Sequence, residues 1–243
     1  MTPCTYFISD LHLSEANPEI TDCFERFMAN EAFTADALYI LGDLFEYWIG
    51  DDDRSPFNQR IAAIIRRVSD TIPTFFIHGN RDFAIGEAFA AEAGFTILKE
   101  QSIIDLYGKR VLISHGDELC TRDIEYMKFR KKSRGWWWPR LMSSTPLSFR
   151  RNLAQRGREK SRKNKGYLTK SIMDVTKSEV DRIMKNNQVN LFIHGHTHRP
   201  NIHEFEIDDN KVKRIVLGDW YTQGSVLIAS KDEFSLEVRK FSS

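Results

Sequence analysis

Thr5-Tyr6-Phe7-Ile8-Ser9-Asp10-Leu11-His12 decides the fold, because an apolar run passes there directly into an Asp-x-His motif. Four further apolar runs end in the same manner, each at a short polar motif that contains glycine. The five motifs in chain order are Asp10-x-His12, Gly42-Asp43, Gly79-Asn80-Arg81-Asp82, His115-Gly116-Asp117 and Gly195-His196-Thr197-His198. The runs are typical of buried strands, so we predict that the motifs converge on one edge of a sheet, where α/β proteins bind ligands.

The apolar runs alternate with helical patterns along the first half of the chain. The predicted strands cover residues 5–8, 37–41, 74–77, 111–113 and 189–193, and residues 22–29 and 58–68 show apolar spacing of a helix. This rhythm predicts a layered α/β fold. It breaks after His115-Gly116-Asp117, where we predict an inserted helical cap at about residues 124–175. It resumes near residue 180 and ends in strands at 212–217, 225–229 and 234–238, so we expect a single domain over residues 1–243.

Composition narrows the class of protein. The 243 residues are 41% hydrophobic and 28% charged, as in soluble globular proteins, and no run approaches ~20 uninterrupted apolar residues. Polar Asp10 and His12 come too early for a signal peptide, so we expect a cytoplasmic protein. Cys4, Cys23 and Cys120 form no Cys-x-x-Cys pair, and we expect free thiols.

The net charge of +1 hides a strong asymmetry. Fifteen of the 35 basic residues lie between Lys128 and Lys170, together with one acid, Glu159. That segment therefore carries +14 and the rest of the chain −13. It also contains Trp136-Trp137-Trp138, which a purely solvated helix would not need. Basic and aromatic side chains together favour a substrate that is anionic and partly apolar, or an anionic membrane surface.

Seven residues of the motifs offer oxygen or imidazole ligands and no thiolate, a set that favours manganese, iron, cobalt or zinc. They are Asp10, His12, Asp43, Asn80, His115, His196 and His198. Each motif taken alone is equally compatible with a strand-end turn or a buried structural histidine. Five in register predict a two-metal site, in which glycines 42, 79, 116 and 195 permit close backbone approaches. We interpret His78 and His194 as packing residues and His203 as a surface residue.

The motif set resembles that of the calcineurin-like metallophosphoesterase superfamily. The resemblance implies a four-layer αββα sandwich. It also implies one ion held by Asp10, His12, Asp43 and His198 and a second held by Asp43, Asn80, His115 and His196. Two such ions support in-line displacement at phosphorus by water, without a covalent enzyme intermediate. We predict catalytic roles for Asn80, Arg81, Asp43 and His115. Arg81 would stabilise transition-state charge, unless it only pairs with Asp82, and Asp82 would orient a histidine.

A narrower resemblance extends along the whole chain. Trp48-Ile49-Gly50-Asp51-Asp52-Asp53, the runs at 35–46, 76–83, 172–175 and 194–200, and the position of the cap are similar to the UDP-2,3-diacylglucosamine pyrophosphohydrolases of lipid A biosynthesis. The resemblance implies attack of water at the α-phosphorus, giving UMP and 2,3-diacylglucosamine 1-phosphate. It further implies two Mn²⁺ ions and peripheral association with the cytoplasmic face of the inner membrane.

Substrate contacts carry over residue by residue from the same resemblance. The matching positions are Asn80, Arg81, Asp123, Tyr126, Arg158, Ser161 and His196. Asn164 and Lys165 depart from the family's spacing and are weaker matches. Apolar side chains of the cap would form the chamber for the acyl chains.

Other functions fit part of the pattern. A cytosolic phosphodiesterase or nucleotide pyrophosphatase would keep the metals and lose the acyl chamber. A nuclease-like protein would use the basic segment on nucleic acid, but that segment has no recognised nucleic-acid motif, so we expect no nucleic-acid partner. A non-catalytic scaffold is disfavoured because every expected ligand is present, and we expect no obligate protein partner.

Overall fold

The computed structural model describes residues 3–135, 137–165 and 174–241, and for residues 139, 140, 143 and 158–165 it describes the backbone only. The strands are β1 (Cys4–Ile8), β2 (Ala37–Ile40), β3 (Thr74–Phe76), β4 (Thr96–Ile97), β5 (Gln101–Leu106), β6 (Lys109–Ser114), β7 (Leu191–His194), β8 (Asn201–Ile207), β9 (Asn210–Val216), β10 (Gly224–Ser230) and β11 (Phe234–Arg239). The helices are α1 (Pro18–Asn30), α2 (Pro56–Ser69), α3 (Glu87–Ala93), α4 (Ile124–Ser133), α5 (Trp137–Ser143), α6 (Leu147–Lys165) and α7 (Lys177–Asn187).

The strands form two sheets that pack face to face. The first has the order β11-β10-β1-β2-β3-β4 and the second the order β5-β6-β7-β9-β8. Their shared core contains Phe7 and Tyr39 from the first sheet and Ile113, Ile193 and Ile215 from the second, all buried. Helices α1, α2 and α3 cover the outer face of the first sheet, and α7 covers that of the second. The order helices, sheet, sheet, helices confirms the predicted αββα fold.

One prediction about the sheet was wrong. Strands β1, β2 and β3 run parallel in the first sheet, whereas β6 and β7 run parallel in the second. The five motifs therefore come from two sheets rather than one sheet edge. The apolar runs alone could not reveal this, because strand order depends on pairing between residues distant in sequence.

Local sequence explains where helices begin and end. Ser55 caps α2, since its side chain accepts a hydrogen bond from Asn58 N at 3.1 Å and Pro56 follows at the first helical position. Gly94 ends α3 in a left-handed conformation at φ 79°. Among the described helices, none combines the length and the apolar character that crossing a bilayer requires. Cys4, Cys23 and Cys120 form no disulfide in the described part of the chain.

Helices α4, α5 and α6, which we call the helical insert, lie between the His115-Gly116-Asp117 motif and α7. The insert is anchored by Arg150 of α6, whose side chain is only 4% exposed. The guanidinium donates to Ile49 O and to Asp52 Oδ1, both at 2.7 Å, and to Thr145 O at 3.1 Å. The neighbouring Arg151 pairs with Asp53 at 2.6 Å. The Trp48–Asp53 run that resembled the narrower family therefore holds the insert.

Four of the fifteen basic residues in the charged segment are therefore not part of a free basic face. Arg150 and Arg151 bind the acids just described, while Arg130 and Arg134 of α4 pair with Glu100 at 3.0 and 2.9 Å. The interpretation of the segment as a solvated or lipid-facing cationic surface is wrong for Arg130, Arg134 and Arg150, whereas Arg151 is 54% exposed and stays at the surface.

Candidate active site

The seven predicted metal ligands lie together where β1, β2, β3, β6 and β7 end. His115 Nε2 lies 3.1 Å from Asn80 Oδ1, 3.2 Å from His196 Nδ1 and 3.7 Å from Asp43 Oδ1. His12 Nε2 lies 3.8 Å from Asp43 Oδ2, and His198 Nε2 lies 3.3 Å from Asp10 Oδ1. The two oxygens of Asp43 thus face histidines on opposite sides, which is the arrangement a bridging carboxylate needs.

Two groups of side chains could each hold a cation. In one group, ligand atoms of Asp10, His12 and His198 all lie within 4.8 Å of one another. In the other, atoms of Asp10, Asp43 and His115 do so. Asp10 belongs to both groups, so it lies between the two positions.

The backbone of the site is strained. Asp10, His12, Asp43, His196 and His198 all have φ between 52° and 70°, a region that non-glycine residues seldom occupy. Such conformations cost energy and persist where the surrounding structure enforces them, typically at functional sites. Five of the seven predicted ligands are therefore held in unusual conformations that direct their side chains into the site.

Glycine is required at two contacts between the loops. A Cβ on Gly79 would overlap the Asp43 carboxylate and backbone, and a Cβ on Gly195 would overlap Ser9 and the Asp10 carboxylate. The close approach of these loops is therefore possible only without side chains, as the sequence predicted for both positions.

Hydrogen bonds orient the histidine rings. His115 Nδ1 lies 2.8 Å from Leu41 O and His198 Nδ1 lies 2.9 Å from Asp219 Oδ2, so Nδ1 of each ring donates to the oxygen that it faces. Glu46 Oε2 lies 3.4 Å from His12 Nδ1 without forming a hydrogen bond. Nε2 of His115 and of His198 therefore faces the other predicted ligands and is the nitrogen that would bind an ion.

Sequence reasoning missed two residues around these rings. Asp219 follows Gly218 at the end of β9, which repeats the Gly42-Asp43 pattern after β2 and could have revealed it. Tyr221 stacks on the His12 ring at a centroid distance of 5.0 Å and an angle of 6°. No spacing rule points to Tyr221, because its contact depends on the turn after β9.

Electrostatics show that the cluster suits cations. Asp10 Oδ1 and both ring nitrogens of His12 are buried and make no hydrogen bond to any described residue. Burial alone would lower the pKa of His115, but Asp43, Asp10 and Asp117 raise it to about 9. Burial would likewise lower the pKa of His198, which Asp10 and Asp219 raise to about 10. Buried carboxylates that attract protons onto histidines can bind divalent ions in the same place, so the residues fit the metals that the sequence implied.

Asp82 does not have the predicted role. Its carboxylate accepts hydrogen bonds from the backbone N–H groups of Gly79 at 2.8 Å, Leu44 at 2.7 Å and Asp43 at 3.3 Å. It orients the two loops and not a histidine, because three backbone donors surround it. Burial, with Asp43, raises the pKa of Asp82 to about 7.

Arg81 is not paired with Asp82 in the described part of the chain. Its backbone N–H donates to Asp43 Oδ1 at 2.8 Å, and its buried Nε has no hydrogen-bond partner. A guanidinium nitrogen beside the ligand cluster is therefore left as a donor.

The predicted substrate contacts divide into two sets. Tyr126 stacks on His196 at a centroid distance of 6.2 Å and 26°, and its hydroxyl donates to Asp117. Asp123 Oδ1 caps α4 by accepting from Tyr126 N at 2.9 Å. The side chains of Arg158, Ser161, Asn164 and Lys165 lie outside the described part of the structure, although their backbone belongs to α6. Trp136 also lies outside it, and His78 and His194 pack as predicted, against Ile85 O and Arg214.

Comparison with known proteins defines the class first. The model of the calcineurin-like phosphoesterase family matches residues 5–200, a span that includes all five motifs. The chain therefore belongs to the calcineurin-like phosphoesterase family, whose members are metal-dependent hydrolases. A solved archaeal phosphodiesterase is 15% identical, with a TM-score of 0.49, over 97% of this chain and 99% of that one.

Within this class, the chain is similar to UDP-2,3-diacylglucosamine hydrolases along its whole length. The enzyme of that name from Vibrio parahaemolyticus is 49% identical over 238 residues, covering 98% of both chains. Those from Coxiella burnetii and Photobacterium profundum are 51% and 49% identical, covering 98% of this chain and 97% and 98% of theirs.

Proposed function

We propose that this chain hydrolyses the pyrophosphate bond of UDP-2,3-diacylglucosamine by attack of water at the α-phosphorus. The products are UMP and 2,3-diacylglucosamine 1-phosphate, an intermediate of lipid A biosynthesis. The observation that carries the proposal is identity near 50% to UDP-2,3-diacylglucosamine hydrolases over 98% of the chain. The cluster of seven ligands at the ends of five strands provides the chemistry such a reaction needs.

Two Mn²⁺ ions are the proposed cofactors. Asp10, His12, Asp43 and His198 would hold one, and Asp43, Asn80, His115 and His196 would hold the other. When bound, the pair would activate water and neutralise charge on the phosphorus oxygens. The protein contributes the orientation, because Leu41 O and Asp219 each accept from Nδ1 of a histidine and leave its Nε2 to face the ions.

Asn80 and Arg81 are the proposed contacts to the phosphates. Both follow β3, and Asn80 lies within 3.1 Å of His115. The unpartnered Nε of Arg81 offers a charged donor at this position. A guanidinium that donates to the developing phosphorane charge stabilises the transition state more than the ground state.

The remaining head-group contacts belong to the cap, which we propose comprises residues 124–175. Tyr126 lies over His196, and Asp123 lies one turn earlier, at the start of α4. His196, Arg158, Ser161, Asn164 and Lys165 complete the proposed set.

The helical insert provides apolar surface for acyl chains. Of eleven large hydrophobic side chains that are exposed in the described residues, six lie in α4–α6. They are Ile124, Phe129, Trp137, Leu141, Phe149 and Leu153. Each buried methylene contributes about 0.8 kcal/mol, so two acyl chains would bind strongly here even with a weakly held head group.

A lipid-linked substrate calls for an enzyme at the membrane, so the proposed localisation is peripheral, at the cytoplasmic face of the inner membrane. The segment between residues 128 and 170 keeps a large positive excess after the four paired arginines are set aside. Such a surface attracts anionic lipid, and salt screens the attraction. Flotation with anionic vesicles at low salt, and its loss at high salt, is the expected result; no flotation at either salt would contradict it.

Release of UMP from UDP-2,3-diacylglucosamine by metal-stripped protein resupplied with Mn²⁺ tests the reaction. Asp43→Asn should abolish release, because both proposed ions need this carboxylate. Asp22→Asn is the matched control, since Asp22 is 57% exposed in a pair with Arg60. Turnover of simple phosphodiesters without release of UMP would instead favour a different phosphodiesterase.

A further inference from the structure

Asp117 is a buried carboxylate for which the proposed chemistry has no use. It lies two residues after His115 and is 1% exposed. Three side chains of α4 surround it: the Tyr126 hydroxyl donates to Oδ2, Arg130 Nε donates to it at 2.8 Å, and Arg134 Nη2 lies 3.6 Å away. One carboxylate thus contacts side chains from successive turns of α4 and from the residue that ends it.

The charge of Asp117 explains why two arginines accompany it. A buried carboxylate without partners would be strongly destabilising. Although burial would raise the pKa of Asp117, His115, Arg134 and Arg130 hold it well below its usual range. Both arginines are also largely buried and reach Glu100, at 3.0 and 2.9 Å. Helix α4 is therefore fixed by an inner carboxylate, Asp117, and an outer one, Glu100.

The same side chains contact other loops of the site. Arg134 Nη2 donates to Gly79 O at 3.0 Å, directly before Asn80. Tyr126 lies over the His196 ring. Asp117 is thus connected to the loop after β3 through Arg134, and to the loop after β7 through Tyr126.

We infer that Asp117 is a positioning residue that sets the first helix of the insert against the phosphoesterase site. It acts through Tyr126, whose ring and hydroxyl it fixes over His196, and through Arg134, which supports the Asn80 loop. The expected effect on the lipid substrate rests on the proposed function, whereas the contacts of Asp117 with Tyr126 and Arg134 do not. A carboxylate suits the position because its Oδ2 accepts from Tyr126 and Arg130 and its charge also faces Arg134, whereas an asparagine would offer only a neutral oxygen.

Asp117→Asn tests this role, with Glu100→Gln as the matched control. The control removes only the outer partner, which is 42% exposed. Hydrogen exchange should become about ten-fold faster in α4 of Asp117→Asn, as expected for loss of charge-assisted hydrogen bonds, and stay unchanged in α2. Glu100→Gln should change exchange in α4 by less than about three-fold. Unchanged exchange in α4 of Asp117→Asn would overturn the inference.

Kinetics separate positioning from general damage. In Asp117→Asn we expect kcat/KM for UDP-2,3-diacylglucosamine to fall about ten-fold or more, while turnover of bis(4-nitrophenyl) phosphate changes less than about three-fold. Mn²⁺ affinity, measured by titration calorimetry, should stay within about three-fold of wild type. Equal loss on both substrates, or loss of Mn²⁺ binding, would overturn the role.

A second variant keeps the test open if Asp117→Asn does not fold. Tyr126→Phe removes only the hydroxyl and leaves the buried charge paired with arginine. By itself it should speed exchange in α4, and unchanged exchange there would overturn the inference. Where Asp117→Asn folds, Tyr126→Phe should add little to it in the double variant, because both disrupt one contact. Strict additivity would contradict a shared contact. If wild type does not turn over the lipid substrate, the proposed function fails, and exchange in α4 still decides the role of Asp117.

Discussion

Arg150→Met should loosen the helical insert and leave the two-sheet core intact. Methionine keeps most of the aliphatic length of the side chain but removes every hydrogen bond of the guanidinium. The lost bonds are those to Ile49 O, to Thr145 O and to both oxygens of Asp52. Because Arg150 is 4% exposed, water cannot replace the guanidinium without opening the contact.

The free energy lost in Arg150→Met depends on how exposed each hydrogen-bond partner is. Hydrogen bonds from a charged donor to the two carbonyls contribute roughly 1.5 kcal/mol each at the lower end of the usual range. Asp52 is 54% exposed, so its ion pair is screened and adds less than about 1 kcal/mol. The loss is therefore about 3 kcal/mol, which corresponds to roughly a hundred-fold more frequent opening of the contact.

Hydrogen exchange in the first half of α6 measures this opening directly. We expect a marked acceleration there in Arg150→Met and none in α2, which packs in the core of the first sheet. Arg151→Met is the matched control, because Arg151 is 54% exposed and water screens its pair with Asp53, which therefore contributes little to stability. Equal exchange in the two variants would refute the assignment of Arg150 as the anchor.

Three further predictions concern the site and its surroundings. Gly79→Ala should lower activity at least about 100-fold, because the new methyl would displace the Asp43 carboxylate. Its control is Gly157→Ala, whose Cβ meets only open space; this variant should keep activity and raise stability in urea unfolding by about 0.5–1 kcal/mol. Mn²⁺ at 100 times its Kd should raise the free energy of unfolding by about 2.7 kcal/mol in wild type and not in Asp43→Asn; an equal rise in both, seen in thermal unfolding, would exclude this site. Burial, with Arg214, lowers the pKa of His194 to about 3, so the ring stays neutral in the folded protein. The contribution of the neutral ring to the free energy of unfolding is therefore complete above about pH 6.5. It is lost as the pH falls toward 3, by up to about 1.4 kcal/mol per pH unit. Urea unfolding of metal-free protein should show this slope, with a shallower one in His194→Gln; parallel slopes would contradict it.

The sequence predicted the parts of the structure that depend on local patterns. Alternating apolar runs located the five strands that carry the motifs, and glycine at positions 79 and 195 predicted close loop contacts that the structure contains. The motifs also predicted which seven side chains would meet, since each follows a strand end. Their roles as ligands remain proposals.

The errors arise where distant residues decide the outcome. Apolar runs carry no information on strand order, so only the family resemblance predicted the division into two sheets. Asp82 was assigned to a histidine because its three backbone donors come from two loops far apart in sequence. The arginines of the insert looked like one cationic face because their partners, Glu100, Asp52 and Asp53, precede them by at least 30 residues.

The central claim is that water attacks the α-phosphorus of UDP-2,3-diacylglucosamine at the cluster around Asp43. Hydrolysis in ¹⁸O-labelled water, with mass spectrometry of both products, tests it most directly. The account predicts one ¹⁸O atom in UMP and none in 2,3-diacylglucosamine 1-phosphate, and neither product with Asp43→Asn. Label in the lipid phosphate, or no cleavage by Mn²⁺-loaded wild-type protein, would contradict it.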